Sequence, residues 1–170
     1  GAGSEAQREL ADRILESGAS LLLVAGDVVY GSGEWSEYKR NLFRPWGDLM
    51  ARVPVAPTLG NHDVGNPDHL GRPYRAVWTP PLNWTRPAGN APDYTITRVR
   101  ANKGDGPVPA GEAMGRNYSL DLGKCHIVCL DSTVDEPTMR FLVAPWARAD
   151  LADARRRGQT WFVAVWHHPP

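Results

Sequence analysis

Val53–Leu59 (VPVAPTL) runs directly into Gly60-Asn61-His62-Asp63, and the reading of this stretch decides the fold. A continuous apolar run bounded by Gly or Pro is the pattern of a strand buried on both faces, as in an open α/β sheet. The same pattern recurs twice. Ser20–Ala25 (SLLLVA) ends in Gly26-Asp27-Val28-Val29-Tyr30, and Trp161–Trp166 (WFVAVW) ends in His167-His168-Pro169. In such sheets ligands bind beyond the carboxyl ends of the strands, so Asp27, Tyr30, Asn61, His62 and His167 are expected on one rim. Oxygen and imidazole donors gathered there suit a hard or borderline divalent or trivalent metal ion.

Working outward, Ser4-x-x-Gln7 is a capping-box pattern followed by Leu10, Ala11, Ile14 and Leu15 at helical spacing, which predicts a helix over Glu5–Ser17 ending at Gly18. Trp35, Tyr38, Leu42 and Phe43 keep a helical period until Pro45, which opens a second short helix to about Ala51. From Val64 to Gly115 the chain is rich in Pro, Gly and Asn, and an irregular insertion over the rim is expected, with one strand at Tyr94–Val99. Asn117–Leu122 and Cys125–Leu130 read as an antiparallel pair, Pro145–Arg157 as a helix, and Trp161–Trp166 as the closing strand. No internal repeat stands out.

Composition narrows the class. The 170 residues allow one domain, and 42% hydrophobic with 22% charged residues is ordinary for a globular protein. Lys+Arg and Asp+Glu are both 19, so no global field favours a nucleic-acid partner or an acidic membrane. No apolar run has transmembrane length and no signal peptide is visible; a secreted or periplasmic location would need a leader upstream. Cys125 and Cys129 lie four apart on one predicted strand, roughly 13 Å, beyond disulfide reach. Asn83-Trp84-Thr85 and Asn117-Tyr118-Ser119 match the glycosylation pattern and are read as chance matches.

Gly-Asp-x-x-Tyr, Gly-Asn-His-Asp and His-x-Pro, in this order and each after a strand, resemble the motifs of the calcineurin-like metallophosphoesterases. Tyr30, and the Arg116–Ser132 stretch (RNYSLDLGKCHIVCLDS), are similar to the purple acid phosphatase-like branch. The resemblance implies an α/β metallophosphoesterase four-layer sandwich, two mixed β-sheets flanked by helices. It implies a metal-dependent phosphoric ester hydrolase, acting on phosphomonoesters or phosphodiesters with a dinuclear metal centre and metal-bound hydroxide. Iron, paired with iron, zinc or manganese, is the implied metal. Asp27 would bridge the ions, Tyr30 would ligate the first, and Asn61 and His167 would ligate the second. His62 would be catalytic, beside the phosphoryl group of the phosphate ester substrate.

Family members also carry an upstream Asp-x-His or Asp-x-Gly and a downstream Gly-His-x-His, and neither occurs in this chain. Residues 1–170 are therefore expected to be a partial domain, incomplete at both ends, with little activity and at most one weakly bound ion. The second site is expected to fill before the first. Asp63 has two readings, orienting His62 or capping its turn. His168 is read as space-filling, His69 carries no motif, His126 is read as a surface or structural histidine, Asp131 as structural, and Arg72, Arg75 and Arg86 as surface arginines within reach of a substrate. Two other functions compete: a non-catalytic phosphoesterase-like binding module, and a dinucleotide-binding domain suggested by Gly1-x-Gly3-x-x-Ala6 opening a helix. The second leaves Gly60–Asp63 and His167–Pro169 unexplained.

Overall fold

The computed structural model describes residues 1–68, 71–78, 96–101 and 116–169, the backbone alone for 96–101. Helix α1 (Glu5–Glu16) starts at Ser4, whose side chain accepts the Gln7 N–H. Only half of the expected capping box forms, because the Gln7 side chain turns away to accept the Gly3 N–H (3.0 Å) and to donate to the Asn41 carbonyl (3.0 Å). Ala11 packs with Leu49 and Val53, and Ile14, Leu15, Leu22 and Trp46 close over them. Strands β1 (Leu22–Val24) and β2 (Val55–Pro57) form a parallel pair in the register Leu22↔Val55.

Between them lie α2 (Trp35–Tyr38), one wide π turn (Lys39–Phe43) and α3 (Arg44–Met50). Pro45 explains the π turn. Proline has no N–H to give the carbonyl four residues back and its ring crowds that carbonyl, so the helix widens just before it, with the Arg44 N–H reaching back to the Lys39 carbonyl. The carbonyl that Pro45 leaves bare is that of Asn41, and the Gln7 amide satisfies it. The device recurs: α5 (Glu136–Thr138), a π turn (Met139–Val143) and α6 (Ala144–Arg156), with Pro145 in the first turn. Leu42-Phe43-Arg44-Pro45-Trp46 and Leu142-Val143-Ala144-Pro145-Trp146 share the pattern Leu-x-x-Pro-Trp, a short local repeat that the sequence reading passed over.

The second sheet has the order β3-β4-β5-β6, with β3 (Ile96–Ala101), β4 (Tyr118–Leu122) and β5 (Cys125–Cys129) antiparallel and β6 (Trp161–Val165) parallel to β5. Alternation splits β4 and β5 into two faces. Tyr118, Leu120, Ile127 and Cys129 meet Ala56 of β2 and Leu23 of β1, so both sheets share one core cluster. The hydroxyls of Tyr74 and Tyr118 both donate to the Pro57 carbonyl at 2.8 Å, tying the end of β2 to its surroundings.

The other face of β4 and β5 is polar beneath α6. Buried His126 lies between Asp121 (Nδ1–Oδ1 2.6 Å) and Asp150 (Nε2–Oδ2 3.0 Å), and Arg157 donates to Asp121. Both ring nitrogens are taken up by partners inside the fold. His126 is thus structural. So is Asp131, fully buried, which accepts from Arg116 (2.6 Å) and from the N–H and hydroxyl of Thr133. Asn117 is buried with its side-chain oxygen taken by the Asp131 N–H, which supports reading its glycosylation match as chance.

Two expectations are corrected. The Trp161–Trp166 run is not buried on both faces: Trp161 is 71% exposed, Phe162 42% and Val163 38%. An apolar run has no period with which to tell an interior strand from an edge strand, and β6 ends the sheet order. Nor is the 64–115 segment irregular throughout its described residues. Helix α4 (Arg72–Val77) follows a left-handed Gly71 and buries Pro73 and Tyr74, and β3 stands near the expected Tyr94–Val99. His69, Asn83-Trp84-Thr85 and Arg86 lie outside the described residues. Among the described residues no helix is long and apolar enough to cross a membrane.

Candidate metal centre

The turns that follow β1 and β2 are locked together by Asp63. Its carboxylate, fully buried, accepts the N–H groups of Val28 (3.2 Å), Val29 (3.2 Å) and Gly60 (2.9 Å). Burial raises the pKa of this carboxyl, and those N–H groups oppose the rise. Of its two readings, turn-capping is the one realised; His62 finds its partner elsewhere. Asn41 adds a second tie, donating to the Tyr30 carbonyl (2.7 Å).

Clamped in this way, the two turns bring Asp27 against Asn61 and His62. Asp27 adopts φ 50°, a left-handed conformation in which Asp is several-fold enriched among non-glycine residues. Its Oδ1 accepts the His62 backbone N–H at 3.0 Å. Two glycines make room. A Cβ on Gly60 would collide with the Asp27 backbone and carboxylate, and one on Gly26 would come within 2.6 Å of His167 Nδ1. Glycine before each of these motifs is therefore a demand of close approach.

His167 arrives from the end of β6. Its Nδ1 lies 2.8 Å from the Ala25 carbonyl, which can only accept, so Nδ1 carries a proton. The opposite nitrogen, Nε2, faces Asn61 Oδ1 at 3.1 Å and Asp27 Oδ1 at 3.4 Å. A carboxylate oxygen, an amide oxygen and an imidazole nitrogen turned toward one another need an electropositive occupant, a proton on Nε2 or a metal ion. Donors bound to one ion at about 2.0–2.2 Å lie roughly 3.0–3.5 Å from each other, the spacing seen from His167 Nε2 to both oxygens. A ligating histidine also usually gives its other N–H to a backbone carbonyl or carboxylate, as His167 does to Ala25. The residues present fit a metal ion.

Tyr30 stands at the edge of this group, 42% exposed, its ring 4.6 Å from that of His62. The Asp27 carboxylate beside its hydroxyl raises its pKa. His62 Nδ1 donates to the Gly31 carbonyl (2.6 Å), which leaves Nε2 as the nitrogen free for chemistry. The five residues expected on one rim are thus brought together. His168 turns aside, its Nδ1 3.0 Å from the Ser132 carbonyl and its ring edge-on to His167.

Among the described residues no group of three or more His, Cys, Asp and Glu is placed to hold a metal ion. The cluster has Asp27 and His167 of those types and draws its other donors from an amide and a phenol. Sequence reasoning missed the anchors, the carbonyls of Ala25 and Gly31 and the Ser132 hydroxyl; backbone atoms carry no residue signature. Arg72 is exposed. The family model described as calcineurin-like phosphoesterase matches residues 2–170. No curated protein matches the chain.

Proposed function

The chain belongs to the calcineurin-like phosphoesterase family, and from that membership we propose a metal-dependent phosphoric ester hydrolase centred on Asp27, Asn61, His62 and His167. The observation that carries the reading is the state of His167: Nδ1 committed to the Ala25 carbonyl, Nε2 aimed at the oxygens of Asn61 and Asp27. Asp27, Asn61 and His167 would hold one ion. Asp27 and Tyr30 offer two donors to a second, and a phenolate suits trivalent iron, as in the purple acid phosphatase-like branch. A cation held there supplies Lewis-acid polarisation of phosphoryl oxygens and lowers the pKa of water.

The chain's own residues supply the rest. His62, with Nδ1 fixed by the Gly31 carbonyl, presents Nε2 to stabilise a phosphoryl oxygen or to protonate the leaving-group oxygen. Its backbone N–H holds Asp27 Oδ1, so the proton donor and the metal ligand are positioned by one turn. Asp63 keeps that turn against the β1 turn without facing substrate. Arg72 is an exposed cation available to an anionic ester, and substrate choice belongs to the segment that carries it.

Metal stoichiometry after reconstitution with manganese, iron or zinc, compared between wild type, Asp27→Ala and Asn61→Ala, tests the reading. Weak binding of one ion that both substitutions abolish is expected, and any metal-dependent cleavage of p-nitrophenyl phosphate or its bis-ester should fall further in His62→Ala. Binding indifferent to both substitutions in folded protein would replace the hydrolase with a partner-binding module on the same fold.

A further inference from the structure

The β5–β6 ladder runs as regular parallel pairing through Cys129↔Val165, and the Leu130 N–H still reaches the Val165 carbonyl at 2.9 Å. Beyond that point the two chains part, β5 into the Asp131-Ser132-Thr133 turn and β6 into His167-His168-Pro169. One side-chain oxygen continues the pairing. Ser132 Oγ accepts the His167 N–H at 3.2 Å and the His168 N–H at 3.0 Å. The turn carrying Ser132 is itself braced: Asp131 accepts from Thr133 N–H (2.8 Å) and Arg116 (2.6 Å), and its own N–H is held by Asn117 (2.9 Å).

We propose that Ser132 is a positioning residue for His167, holding the backbone from which the imidazole reaches Asn61 and Asp27; the inference rests on the metal-centre reading above. The reasoning is geometric. His167 follows a strand whose side chains are largely exposed, so packing alone does little to hold it. Its ring is anchored at the Ala25 carbonyl on one side and faces Asn61 Oδ1 on the other, and its backbone N–H has a separate anchor, Ser132 Oγ. With both in place Nε2 has one location. Without Ser132 the two amides lose their acceptor and the turn can rotate, carrying Nε2 off Asn61 Oδ1. The His168 ring also lies 3.2 Å from Ser132 Oγ, so the same residue keeps the neighbouring imidazole turned away from the donors.

The test compares wild type, Ser132→Ala, Ser132→Thr and His167→Ala as full-length chains, with cobalt(II) alone as the probe. Ser132→Ala is expected to weaken cobalt binding by about tenfold or more, the usual effect of removing a partner one step behind a ligand. Without cobalt, it should also speed amide exchange at His167 and His168 and alter the His167 ring nitrogen shifts. Ser132→Thr, which keeps the hydroxyl, should restore both. Wild-type cobalt affinity and unchanged amide protection in folded Ser132→Ala would overturn the proposal. His167→Ala with undiminished cobalt affinity would instead sink the metal-centre reading, and the cobalt-free amide and ring signals would then decide Ser132 on their own.

Discussion

Strands β2 and β6 come from the same kind of sequence, an apolar run ending in a turn of metal-type donors, yet they have opposite surroundings. Val55, Ala56 and Pro57 of β2 are all buried, whereas four of the five residues of β6 are exposed. Both nevertheless deliver a donor to the same few ångströms. Burial holds the β2 turn, with help from Asp63; hydrogen bonds donated by His167 to the Ala25 carbonyl and Ser132 Oγ hold the β6 turn. In this chain, placement of a rim side chain and burial of the strand before it are therefore separate properties.

The contrast can be broken by truncating a side chain just beyond β2 and one on β6. Leu59→Ala, at a fully buried position, is expected to cost about 2–5 kcal/mol in denaturant unfolding. Val163→Ala on β6 should cost no more than about 1 kcal/mol. Equal costs would mean that β6 is covered in solution, and the comparison would fail. At the end of β2, Tyr74→Phe and Tyr118→Phe should each cost about 0.5–1.5 kcal/mol, and the double variant more than the sum, because the buried Pro57 carbonyl then loses both donors. Simple additivity in that cycle would show the carbonyl finding another partner.

The smallest effect concerns reactivity. Burial pushes the Cys129 thiol up to about 12, and the thiolate is the reactive form. At pH 8 a thiol reagent should therefore label half-buried Cys125 first and reach Cys129 only on unfolding. Raising the pH toward 12 increases the thiolate fraction at Cys129, so its labelling should accelerate. Equal rates at pH 8 would show the β5–β6 end opening, and would sharpen the contrast with β2.

What was legible in the sequence follows the same division. Asp27, Tyr30, Asn61, His62 and His167 could be gathered on one rim because donors are written as residue types and strands as apolar runs. The exposure of β6 could not be read, since an edge strand and an interior strand share that composition. Helix α4 was hidden by the surrounding Gly and Pro, although Gly71-Arg72-Pro73 is itself a helix-start signal. The π turns needed the realisation that Pro45 and Pro145 come after a helical turn has begun. The Asp121–His126–Asp150 arrangement depends on a carboxylate 24 residues away, which no local pattern announces.

The spread of the donors along the chain has a consequence for folding. His167 meets Asn61 across 106 residues of sequence and Ala25 across 142. Until β6 has docked, no fragment emerging during synthesis can assemble the trio, so a half-made chain presents scattered side chains and no trap for the wrong ion. Once assembled, an ion at a hundred times its Kd would add about 2.7 kcal/mol to the folded state. That gain would go only to chains in which β6 has found its register. A slip of one residue there would offer His168 in place of His167 and forfeit it.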